Sequence, residues 1–80
     1  MQSVTKKQFL EITNELAQQQ DEYFDGLVID TFKIEGGIFV FGAKGMNGPD
    51  GKLSVDKFEA SNNLMKKIEP ILRTNYIVVG

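Results

Sequence analysis

The chain has 80 residues, 41% of them apolar and 25% charged, a formal net charge of −2, and neither cysteine nor histidine. That length supports one modest hydrophobic core, so residues 1–80 are read as a single domain. The missing residue types remove disulfides, thiolate chemistry and the commonest general base, and the slight acidity gives no electrostatic ground for nucleic acid or an anionic membrane as the main partner. Residues 1–7 lead into a polar helix with no signal-like apolar core, and no apolar run is long enough to span a bilayer, so a cytoplasmic location is expected.

Thr5 and Gln8 have the spacing of a capping box, in which hydroxyl and side-chain amide satisfy orphan backbone donors at a helix start. Phe9, Ile12, Leu16 and Tyr23 then recur at helical spacing, and Gly26 is a natural stop. Two segments rich in β-branched and aromatic residues follow, Leu27 to Glu35 and Ile38 to Lys44, and Gly36-Gly37 between them suits a tight hairpin turn with positive φ twice. That turn pairs Glu35 with Ile38, Ile34 with Phe39, Phe32 with Phe41 and Asp30 with Ala43. Strand alternation then gives one face Val28, Phe32, Ile34, Phe39 and Phe41. The other carries Leu27, Ile29, Ile38 and Val40 with Thr31, Lys33 and Lys44. Asp30 falls on the first face, a costly place for a carboxylate, so the strand is expected to enter the core only after it.

Gly45 to Gly51 reads as a mobile loop, and Ser54 as the N-cap of a second helix with Phe58, Met65, Ile68 and Leu72 on one face and Leu64 and Ile71 beside them. Pro70 is expected to kink or end this helix, and Tyr76 to Val79 to form a last strand. The order is α-β-β-α-β. A right-handed crossover through the second helix predicts an α+β fold, a three-stranded antiparallel sheet of order 2-1-3 with both helices on one face.

Three short motifs bear on chemistry. Gly45 to Gly51-Lys52 has five intervening residues where a phosphate-binding P-loop has four, and Leu53 stands where that motif needs a metal-binding hydroxyl. The stretch from Asp50 resembles the second half of an EF-hand loop, but Met46, Gly48 and Lys57 occupy the positions where calcium needs oxygens. Gly42-Ala43-Lys44-Gly45 has the GXXG form of KH nucleic-acid domains, yet it follows a strand where that motif joins two helices. No catalytic residue, cofactor or metal is expected.

Helices on one face leave the other open, and a small sheet has free edges that invite strand addition. The expected function is a non-enzymatic protein-interaction module, self-associating as a homodimer or binding a protein partner. It would act through the outer sheet face or an edge strand, with Leu27, Ile29, Lys33, Ile38 and Val40 as the binding residues. The size and composition are those of many small accessory or regulatory proteins of bacteria and phages. The alternative is a nucleic-acid or phosphate-ligand binder using Lys44, Lys52, Lys66, Lys67 and Arg73 together with the glycine-rich loop.

Overall fold

The computed structural model describes all of residues 1–80. The elements run β1 (Gln2–Val4), α1 (Lys6–Gln18), β2 (Val28–Glu35), β3 (Ile38–Lys44), α2 (Val55–Asn75) and β4 (Tyr76–Val78). Both helix starts follow from local chemistry. The Thr5 hydroxyl accepts from Gln8 N–H while the Gln8 side chain accepts from Thr5 N–H, closing the capping box at α1. The Ser54 hydroxyl accepts from Lys57 N–H and caps α2.

The fold is α+β, but the expected three-stranded sheet of order 2-1-3 does not form. The strands make two separate ribbons, β1 parallel to β4 and β2 antiparallel to β3. Two features account for the difference. The N-terminal residues supply a strand too short for any periodic signature, and it takes β4 in the register Gln2–Tyr76 to Val4–Val78. The edge of β2 that a third strand would use is occupied at Ile29 by a side chain. Asn14 of α1 accepts from Ile29 N–H through Oδ1 at 2.9 Å and donates from Nδ2 to Ile29 C=O at 2.8 Å, so one amide fills both hydrogen-bond positions of a neighbouring strand.

The hairpin turn forms as expected, with Gly36 and Gly37 at φ 58° and 80° in a primed-type turn. The register matches expectation from Glu35–Ile38 to Thr31–Gly42, and then departs from it. A bulge between Ile29 and Thr31 pairs Ile29, not Asp30, with Ala43. The extra residue reverses the facing of everything before it. Leu27 and Ile29, expected on the outer face, are buried at 3% and 1% exposure, while Val28 turns outward. Asp30 projects outward with its carboxylate 3.9 Å from Lys44 Nζ. The strand therefore enters the core before Asp30, and the bulge keeps the carboxylate out of it.

The core joins Val4, Phe9, Ala17, Leu27, Ile29, Leu64, Ile68 and Leu72. Phe9 is its centre, with its ring 4.8 Å from Phe32, 4.5 Å from Phe39 and 6.2 Å from Phe41. The buried face of α1 is Phe9, Thr13 and Ala17, with Ile12 and Leu16 half-buried at its flank. Thr13 is tolerated there because its hydroxyl donates to Phe9 C=O at 2.7 Å. Pro70 does not end α2, which runs on to Asn75. Pro70 lies on the exposed side of the helix, where the carbonyl left without a donor can meet water, while Ile68 and Leu72 anchor the turns around it.

The Asn14 amide generates a stability prediction. In Asn14→Ala, the N–H and C=O of buried Ile29 lose their partners, at about 1–3 kcal/mol for each unsatisfied group. Urea unfolding is expected to show a loss of about 2–6 kcal/mol. Asn14→Asp should not rescue it, because a carboxylate keeps the acceptor but sets an oxygen against the Ile29 carbonyl.

Candidate functional site

In a two-residue hairpin the residues flanking the turn exchange hydrogen bonds, and alternate residues thereafter point their backbone groups away from the partner strand. In this register the outward-pointing residues are Ile29, Phe32 and Ile34 on β2 and Phe39, Phe41 and Ala43 on β3. The two edges are treated differently. The β2 edge is bulged, is filled at Ile29 by Asn14, and belongs to a strand carrying Asp30, Lys33 and Glu35. The β3 edge has no charged residue from Ile38 to Ala43. Its one outside partner is the Glu69 carboxylate of α2, which accepts from Phe39 N–H at 3.1 Å and also receives Arg73 Nε at 3.1 Å.

Beside this edge lies the largest cavity, a groove of about 420 Å³ between β3 and α2. Phe39 and Phe41 line one side of it and Met65 and Pro70 the other, with Lys66 and Glu69 among its polar residues. α2 begins beyond the end of β3 and runs back along it, so Glu69 lies beside Phe39 and Lys66 lies one turn earlier, toward Phe41. Lys66 is exposed and makes no ion pair, whereas Glu69 is almost covered.

Of the expected binding residues, Ile38 and Val40 do stand on the outer face of the hairpin, 43% and 37% exposed. Lys33 shares that face but is paired with Glu35 at 2.8 Å. Leu27 and Ile29 are inside the core and unavailable to a partner. The expected basic set does not converge. Lys44 faces Asp30, Lys67 holds Glu22 at 3.0 Å, and Arg73 is bound to Glu69. Lys52 lies in the loop between β3 and α2, beside the Asn47–Leu53 bridge.

That loop is tied together. Asn47 bridges Leu53, Gly48 N–H donates to Lys52 C=O at 2.7 Å, Gly51 N–H to Gly48 C=O at 3.0 Å and Ser54 N–H to Met46 C=O at 2.9 Å. The amides of Gly48, Gly51, Lys52 and Ser54 are thus already donated within the loop. Gly45, at φ 96°, lets the chain pass directly against the Gly26 carbonyl, where a Cβ would collide with backbone. No group of three or more acidic side chains is placed to hold a metal ion, and no helix is long and apolar enough to cross a membrane.

Residue periodicity put Met65 on the apolar face of α2 but did not single out Glu69 or Asn14. Each acts on backbone or side chains that are distant in sequence, and the one signal available beforehand was the uncharged run of β3. Compared with known proteins, the chain matches no family model, and no curated protein or solved structure shows significant similarity to it.

The Glu22–Lys67 pair ties the turn after α1 to α2 and makes a pH-dependent contribution. The hydrogen bond from Lys67, then a backbone hydrogen bond and the lysine's charge, hold the Glu22 carboxyl below its ordinary range. A carboxyl lowered in the folded state stabilises above its unfolded value, and the contribution fades as pH falls through the folded value. Side-chain carboxyl NMR titration should find Glu22 below its ordinary range in the native protein, and Lys67→Ala should return it upward.

Proposed function

We propose that the chain is a non-enzymatic protein-interaction module that receives an extended segment of a polypeptide as an added strand along the free edge of β3. Strand addition takes its affinity from main-chain hydrogen bonds and its selectivity from pockets for alternate side chains. The observation that carries the reading is the asymmetry of the two edges. The β2 edge is bulged, charged and capped at Ile29 by Asn14, whereas the β3 edge is uncharged and opens onto an apolar groove. Native sheets blunt unused edges with charge, bulges or cover. Here the charges and the bulge fall on the β2 edge only.

Both sides of an added strand have surface to meet. Its inward side chains face the groove at Phe39, Phe41 and Met65, and its outward side chains extend the aliphatic row of Ile38 and Val40. The Glu69 carboxylate stands where the carbonyl of an incoming strand would accept from Phe39 N–H, so it acts as an exchangeable placeholder.

A random peptide display library panned against the wild type and against Val40→Lys tests the reading. Enriched peptides should shift the amide resonances of Phe39, Phe41 and Ala43 and bind Val40→Lys more weakly. A library that yields no binder, or binders that shift only residues away from β3 and α2, would overturn it.

A further inference from the structure

The charge and shape of the β3 edge point to a particular occupant, and the inference rests on the reading of that edge given above. We propose that the strand received by β3 is the β3 strand of a second copy of this chain, paired antiparallel about a twofold axis at Val40.

The backbone permits this register. Phe39 and Phe41 both point their N–H and C=O groups out of the hairpin, so an axis at Val40 sets Phe39 opposite the partner's Phe41, and Phe41 opposite its Phe39. Each such pair exchanges both of its hydrogen bonds. The outer face is self-complementary. Val40 meets its own copy across the axis, and Ile38 falls opposite Gly42, a large residue facing one with no side chain. Between Ile38 and Ala43 there is no charge to repel the same charge on the second copy.

The groove side is complementary in charge. Glu69 lies beside Phe39, and Lys66 lies one helical turn away toward Phe41. The rotation that places Phe39 against the partner's Phe41 therefore brings Glu69 toward the partner's Lys66. When the incoming Phe41 carbonyl takes the Phe39 N–H, Glu69 is released from its placeholder bond, and a lysine without an ion pair of its own is there to receive it. An isologous interface needs this reciprocity, in which each residue of a pair finds its counterpart twice.

The symmetry of the contact sets the size of the assembly. A twofold interface through β3 uses the same edge of both copies. Pairing through that edge uses it up, so association closes at two copies, as a four-stranded sheet, and does not propagate into a filament.

Sedimentation velocity over a wide concentration series tests this on the wild type, Val40→Lys and Lys66→Glu. Both substitutions fall on exposed side chains, and circular dichroism melts of each variant report whether the fold is kept. The wild type should pass from monomer to dimer, with no larger species. Val40→Lys places two lysines face to face at the axis, and Lys66→Glu sets acid against Glu69 twice, so each should weaken the dimer by roughly tenfold or more. A wild type that stays monomeric at every concentration, a dimer that both variants leave unchanged, or growth into larger assemblies would overturn the proposal. Peptide panning separates the two levels. A monomer that still enriches peptides on β3 refutes self-pairing alone, whereas a monomer that enriches none refutes the receptive edge as well.

Discussion

The arrangement of this chain depends on one side-chain amide. Asn14 reaches from α1 to Ile29 and satisfies its N–H and its C=O together, doing for one residue what a neighbouring strand does for a whole segment. The contact falls immediately before the bulge, and the two features act together. The bulge turns Leu27 and Ile29 inward and Asp30 outward, and the amide fixes Ile29 in that inward setting. A straight strand would have carried a carboxylate onto the aromatic layer around Phe9, a costly place for a charge.

The rest of the topology follows from that occupied edge. With Ile29 already paired, the C-terminal strand joins the N-terminal one, and the molecule becomes two small ribbons braced by two helices. A two-stranded ribbon is marginal by itself, so each relies on the helices. Phe9 brings the aromatic residues of the hairpin onto α1, while Val4 joins the terminal ribbon to the same core. One consequence is that the hairpin keeps a second edge with no strand against it. α2 runs alongside that edge and touches its backbone only through Glu69.

Local chemistry was readable in the sequence, and long-range substitution was not. The Thr5–Gln8 box, the Gly36-Gly37 turn with the register it sets, and the Ser54 cap all formed, because each is decided within a few residues. The bulge was hidden because nothing in the alternation of residues 27–35 marks where an extra residue is inserted. The clue was energetic, a carboxylate assigned to an apolar face, and it was resolved in favour of a late strand start when the strand in fact begins earlier and swerves. The Asn14 contact spans fifteen residues and pairs a polar helix position with a backbone, so periodicity carries no trace of it. Gln2–Val4 is too short to alternate, and Pro70 reads as a helix end where the packing of Ile68 and Leu72 carries the helix through. As a result two of the five residues expected at a binding surface, Leu27 and Ile29, are core residues, while Ile38 and Val40, beyond the bulge, stayed where the turn register put them.

Residue-resolved amide hydrogen exchange on dilute protein tests the central claim most directly. Ile29 and Phe39 should exchange slowly, each held by a side chain from a helix, while Phe41 and Ala43, on the same strand edge without such a partner, exchange quickly. Fast exchange at Ile29 together with slow exchange at Phe41 and Ala43 would contradict the account, since it would mean that the edge taken as filled is open and the edge taken as open is covered.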